Sequence, residues 1–409
     1  MERKFKLYLF LLALLIFLLP AGAVFANSGD LKVGDRGEKV SQLQSMLKGE
    51  GLFPSGQRIT GYFGPITYNS VVALEKKYGL AVNGKVGAEE WNILYHKSQS
   101  KVVLGYYTVD YPGDKLSHDS LVKNSQLISQ SAMFDYAVDE KGNLKGSASI
   151  EGIKVARSKG IKTLMVVHNI SGTIEGNAAY SAITDKYRKK LVDNIVNEIK
   201  RSGYDGVNVD LEGIPPAGKK YYNALLEDLR NQLGQSKLLT VAVPAKTSDN
   251  GSTWNGAYDY KTIGRLADYV VIMSYDEHWG GGPPGPVASI PWVTKVLDYS
   301  TKVIPPHKIL MGIAAYGYDW PSGQKGKAIK WNSMSRLISQ YGGVKWDNNY
   351  SVPYLKYWKG SVQHQVWFEN KYSLAIKLGM VKKYDLGGIA FWRMGFEDAS
   401  FWETIKNKL

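Results

Sequence analysis

The side chains best placed to do chemistry lie in one string, GYDGVNVDLEG, at positions 203–213. In extended backbone, side chains alternate between two faces. Asn208, Asp210 and Glu212 therefore share one face, and Val207, Val209 and Leu211 take the other. Asp210 and Glu212 would lie about 7 Å apart at ordinary strand rise. Two carboxyls that close in a low-dielectric site do not ionise together easily, so one keeps its proton near neutral pH. A protonated Glu at a groove is the form that gives a proton to a leaving oxygen. The same string also reads as a buried acid pair that only ties loops together.

Such a row needs elements to position it. From Val102 onward, short apolar runs alternate with amphipathic stretches such as 187–201 and 221–233. The runs begin at Val102, Ser129, Lys162, Gly206, Leu238, Tyr269, Ile309 and Gly387. Eight strand-helix units over about 300 residues predict an α/β fold, a (β/α)8 TIM barrel spanning 102–409. The stretch 318–365 exceeds a strand-helix loop and reads as a small α+β insertion. Chemistry in such barrels sits at the C-terminal strand ends. The polar and aromatic residues there are Asn169, the 208–210–212 row, Tyr275, Asp276, Tyr316 and Trp392.

Ahead of the barrel, residues 29–95 predict a small three-helix domain. Val40, Leu43, Met46 and Leu47 recur at helical spacing, as do Val71, Val72, Leu74 and Tyr78. GYFGPITYNS from Gly61 and GKVGAEEWNI from Gly84 form an internal turn-plus-helix repeat. Residues 96–101 are a short polar linker. Residues 1–26 read as a signal peptide: Arg3, Lys4 and Lys6, then an apolar run from Leu7 to Leu19, then small residues to Ala26. An uncleaved anchor is the alternative, although the run is short for a membrane span. No later segment is apolar enough to span a membrane, so none is expected once the signal is removed.

The formal charge is +14, and the first 26 residues hold three basic groups and one acidic, leaving +12. An exported cationic chain with no nucleic-acid motif points to an anionic partner such as a bacterial wall polymer. The chain has no cysteine, which excludes disulfides and thiolate metal sites. The six histidines show no zinc-like pairing, and no Walker-type loop appears, so no metal and no cofactor is expected.

DGVNVDLE resembles the DxxDxDxE signature of glycoside hydrolase family 18, the chitinase-like hydrolases. Asp205, Asp210 and Glu212 match it, while Asn208 stands where the signature has an acid. MSYDEHWGGGPPGPVA, AAYGYDW and GGIAFWRMGFED resemble family segments close to the branch acting on spore and vegetative walls. Residues 29–95 resemble the peptidoglycan-binding domain of the first type, with Leu74-Glu75 where Phe-Gln is usual.

The resemblance implies substrate-assisted catalysis. Glu212 is the proton donor, Asp210 orients and charge-balances the substrate acetamide, and Tyr275 bonds its oxygen. Asn208, hydrogen-bonded to Asp210, joins Met273, Asp276, Tyr316, Asn169 and Trp392 in lining the substrate site, with Trp392 as the floor under the sugar before the cut. His278 and Trp279 form the rim. The expected protein is a secreted, monomeric glycosidase of the cell wall or spore envelope. It would cleave β-1,4-linked N-acetylglucosamine in peptidoglycan or another N-acetylglucosamine-containing glycan. A chitinase and a catalytically silent glycan-binding protein are the alternatives, and endo or exo cleavage stays open.

Overall fold

The structure is a computed structural model that describes residues 30–98, 101–249 and 252–409. The expected signal peptide, 1–26, lies outside the described residues, as do 99 and 100 of the expected linker. Among the described residues no helix is long and apolar enough to cross a membrane.

Eight parallel strands close into a barrel: β1 (Val102–Tyr107), β2 (Gln130–Val138), β3 (Lys162–His168), β4 (Gly206–Asp210), β5 (Leu238–Pro244), β6 (Tyr269–Met273), β7 (Ile309–Ala314) and β8 (Gly388–Trp392). Each pairs with its sequence neighbours, and β1 pairs with both β8 and β2, which closes the ring. Parallel strands wrapped by helices are covered on both faces, hence their nearly unbroken Val, Ile and Leu content. Leu104, Leu164, Val166, Ala242, Val271, Leu310 and Ala390 fill the interior. Val207, Val209 and Leu211 of the fourth unit pack outward, against the helices.

The helices are cut to the same plan. Arg188–Ser202 buries Leu191, Val192, Ile195, Val196 and Ile199 along one stripe and stops at Gly203, whose φ of 75° is left-handed. Full burial of each such side chain stabilises by roughly 1.5–3 kcal/mol. An Ile195→Ala change would leave a cavity costing about 2–5 kcal/mol. Between β7 and the helix Lys371–Lys383 the chain builds a five-stranded antiparallel sheet from Tyr316 to Trp367. That is two residues wider at each end than the stretch marked in the sequence. Helix Met334–Tyr341 packs on one face of this sheet through Met334, Leu337 and Ile338, against Leu355, Tyr357 and Val366.

The N-terminal region forms helices α1 (Glu38–Gly49), α2 (Pro65–Tyr78) and α3 (Ala88–Ser98) around Val40, Leu43, Leu47, Phe63, Val71, Leu74 and Trp91. The repeat has a physical logic. Buried Gln44 in α1 accepts from the amides of Thr60 and Gly61. Buried Glu75, at the matching place in α2, accepts from the amide of Gly84 at 2.9 Å. Each helix thus pins the glycine turn that starts the next one. A carboxylate serves as well as an amide for that single task, because only acceptor oxygens are used.

Candidate active site

The fourth unit delivers its polar row to the barrel mouth, graded by depth. Asn208 is fully buried, Asp210 is 4% exposed, and Glu212, just past the strand, is half-buried. Burial raises Asp210 from 3.8 to about 7, and raises Glu212 from 4.5 to about 8 with help from the negative charges of Asp210 and Asp276. The pair therefore carries a proton at neutral pH. Asp210 Oδ1 is buried and has no hydrogen-bond partner, an acceptor left open beside the acid.

Two expected contacts are corrected. Asn208 was expected to hydrogen-bond Asp210 and line the substrate site. Instead its oxygen accepts from the Tyr106 hydroxyl at 3.2 Å and its amide donates to Thr240 Oγ1 at 2.7 Å. It has no exposed surface and lies one step beneath Asp210. Asn169, also expected to contact substrate, is 2% exposed. Its side chain donates to the Glu212 carbonyl at 2.8 Å and accepts from the Glu212 amide at 2.7 Å. Together with the Tyr258 hydroxyl, which donates to the Leu211 carbonyl at 2.7 Å, it clamps the backbone that carries Glu212. Asp205 also acts on backbone, accepting from the Thr163 amide at 2.8 Å and so tying β4 to β3.

Other strand ends complete the mouth. Met273 and Tyr275, at and just after the end of β6, are half-buried, and the Tyr275 ring packs against Gly312, where an added Cβ would stand 2.9 Å from it. Burial and the neighbouring carboxylates hold the phenols of Tyr106 and Tyr275 far above their ordinary range, so both remain protonated donors. Asp276 stands at the exposed rim with a left-handed φ of 61° and accepts from the hydroxyls of Tyr316 at 2.7 Å and Tyr318 at 3.1 Å. Tyr316 is itself only 5% exposed, so its contribution is to fix Asp276. Trp392 is half-buried between Phe134 and Tyr106, with ring centroids 5.1 and 5.4 Å away. His278 Nδ1 lies 3.1 Å from the Pro286 carbonyl and closes the glycine-proline loop, beside an exposed Trp279.

Sequence reasoning missed Tyr106, Thr240, Tyr258, Phe134 and His168. Tyr106 and Thr240 carried a signal, since strand alternation points both inward, toward the row. His168 stacks on Phe134 at 3.9 Å, and burial lowers it to about 4, so it is a neutral acceptor for the Ile170 amide. Among the described residues no three His, Cys, Asp or Glu side chains converge on a metal-sized space. The arrangement is suited to acid-base work on a neutral bond: one stored proton, one open carboxylate oxygen, one phenol donor and one flat ring.

Comparison with known proteins identifies the family. The family model "Glycosyl hydrolases family 18" matches residues 83–397, and the model "Putative peptidoglycan binding domain" matches residues 36–94. The uncharacterized glycosylase YvbX of Bacillus subtilis (strain 168) is 32% identical over 328 residues, 76% of this chain and 94% of that protein. The spore cortex-lytic enzyme SleL of Bacillus megaterium QM B1551 is similar in structure, with a TM-score of 0.70 and 28% identity over 82% of this chain and 81% of that one. A chitinase from Chromobacterium violaceum ATCC 12472 has a TM-score of 0.71 and 30% identity, covering 76% of this chain and 99% of that one. The chain belongs to glycoside hydrolase family 18.

Proposed function

We propose that this family 18 hydrolase, exported and wall-associated, cleaves β-1,4-linked N-acetylglucosamine bonds in peptidoglycan or spore cortex by substrate-assisted, retaining catalysis. The observation that carries the reading is the pairing of a proton-holding Glu212 with the open, buried oxygen of Asp210. Glu212 gives its proton to the glycosidic oxygen as that bond breaks. The substrate's acetamide oxygen attacks the anomeric carbon, forming a cyclic oxazolinium. Asp210 Oδ1 accepts the acetamide N–H and balances its charge, and the Tyr275 hydroxyl donates to the acetamide oxygen. Glu212, now ionised, takes a proton from water, which opens the ring from the face the leaving sugar vacated. Two inversions give net retention, and no second carboxylate nucleophile is needed.

The choice of peptidoglycan rests on the N-terminal peptidoglycan-binding domain and on the likeness to a spore cortex-lytic enzyme. The 30% likeness to a chitinase favours chitin as a second reading. The test compares purified enzyme and Glu212→Gln on cortex fragments, vegetative peptidoglycan and colloidal chitin, with products identified by mass spectrometry. Wild-type protein should release reducing-end N-acetylglucosamine from the wall polymers faster than from chitin. Glu212→Gln should cut turnover at least about a thousandfold while binding persists. Near-normal turnover by Glu212→Gln would remove Glu212 from its role, and faster release from chitin would reassign the substrate.

A further inference from the structure

We infer that Trp254, with Ile174, forms the platform for the N-acetylhexosamine on the leaving side of the cut, a subsite built from the loops after β5 and β3. The inference rests on Glu212 as the proton donor and adds the side on which the departing sugar lies.

The argument starts at Gly213, next to Glu212. Its φ is 65°, and a Cβ there would stand 3.1 Å from the Trp254 ring and 3.3 Å from Ile174. The indole is thus laid against the backbone immediately beyond the acid. It remains 45% exposed, and Ile174 38%. A large apolar side chain left this open beside a catalytic acid offers a flat surface to a ligand, because contact with an aromatic ring gains area at little entropic cost.

The residues around Trp254 are tied to their neighbours. The Ser252 amide donates to Asn255 Oδ1 at 2.9 Å, the Asn255 side chain donates to the Ala245 carbonyl at 3.3 Å, and Gly256 packs against Pro216. Two positions further on, Tyr258 is bolted to the Leu211 carbonyl. The same network that sets the backbone of Glu212 therefore sets the ring.

Topology supplies the direction. In the closed barrel β4 and β8 stand opposite, with three strands between them either way, while β3 and β5 flank β4 directly. Trp392 ends β8, across the barrel from β4, whereas Trp254 lies against the backbone one residue past Glu212. The bond receiving the proton lies at Glu212, so a sugar resting on Trp392 and a sugar against Trp254 belong to opposite sides of that bond. Tyr275, a partner of the acetamide, packs on the same apolar cluster as Trp392, which assigns the Trp392 side to the sugar carrying that acetamide and leaves the Trp254 side to the departing one.

The experiment uses two substrates with the same donor sugar, a glycan fragment with a sugar leaving group and the corresponding glycosyl fluoride, whose leaving group is a single atom. Trp254→Ala should lower kcat/KM about tenfold on the glycan and leave the fluoride within about twofold, and Trp254→Phe should restore most of the loss. Equal losses on both substrates, or no loss on the glycan, would overturn the assignment. If Trp254→Ala does not fold, Trp254→Leu against Trp254→Phe makes the same comparison of bulk without and with a flat ring. Calorimetric binding of the glycan to Glu212→Gln, with and without Trp254→Ala, separates this proposal from the proton-donor reading. A roughly tenfold weaker dissociation constant supports the platform even if the chemistry were assigned elsewhere, and unchanged binding removes it.

Discussion

Asn208→Asp restores an acid to the family signature, and the structure says what that costs. The present amide fits because its oxygen accepts from Tyr106 and its N–H donates to Thr240 Oγ1. Thr240 in turn donates to the Val207 carbonyl at 3.2 Å, so its hydroxyl hydrogen is already used. A carboxyl of the same shape keeps both contacts only when protonated, with its O–H taking the place of the amide N–H. Asp210, one strand step away and nearly as buried, is already raised from 3.8 to about 7 by burial alone. A new carboxyl below it, raised as far, would keep its proton in the folded state at pH values where the unfolded chain has released it. Folded and unfolded states then agree below pH 4, and stability falls as pH climbs from about 4 to about 7 and stays low beyond. At 1.36 kcal/mol per tenfold in proton affinity the loss reaches roughly 4 kcal/mol at pH 8. Urea unfolding of wild type and Asn208→Asp from pH 4 to pH 8 measures it. The two midpoints should nearly coincide at pH 4 and separate progressively above. A gap that is constant with pH would show that the position tolerates a charge, and would refute the claim that its two neighbours demand a neutral group.

Three further outcomes are expected. Asn169→Ala removes both hydrogen bonds that hold the Glu212 backbone, so kcat should fall about 10- to 100-fold with KM nearly unchanged, measured by steady-state kinetics; a pure KM effect would return Asn169 to ligand contact. With Glu212 as the proposed acid, raised to about 8, and Asp210 as the proposed carboxylate, raised to about 7, kcat/KM should peak between about 7 and 8, falling below as Asp210 takes a proton and above as Glu212 loses one; Asp276→Asn should move the alkaline decline to lower pH by removing a like charge, and an alkaline decline centred below pH 6 would contradict the site's electrostatics. Lys377 and Glu369, each with 2% side-chain exposure and 2.7 Å apart, form a buried ion pair, so Lys377→Met should destabilise by about 3–5 kcal/mol in chemical denaturation, and adding Glu369→Leu should recover much of it.

What the sequence made legible, and what it did not, divides along one physical line. Periodicity reports which face a side chain takes, and the barrel rests on faces: each of the eight apolar runs contributes a strand, and the row at 208, 210 and 212 points inward. Strand direction also gives the order in depth, with Glu212 outermost and Asp210 one step deeper, but not where the interior seals: about 3.3 Å of rise per residue leaves Asn208 fully buried. The residue at the bottom is therefore held by its neighbours on all sides, and the half-buried one at the top is the proposed acid. Partners from other strands were illegible for a related reason. Tyr258 reaches Leu211 across 47 positions of chain with nothing local to mark it, and Asn169, which its strand-end position did mark, reaches Glu212 across 43.

Depth also explains how the site can keep an asparagine where its family signature has an acid. Water solvates a charge only near the mouth, so each step inward raises the cost of ionisation. At the bottom of the row, with Tyr106 donating and Thr240 accepting, the surroundings call for one acceptor and one donor and no net charge. An amide meets that demand at every pH, whereas a carboxyl meets it only while protonated. Asn208 therefore supports Asp210 without competing for protons, and the proton traffic of the site is confined to the two carboxyls that face the groove.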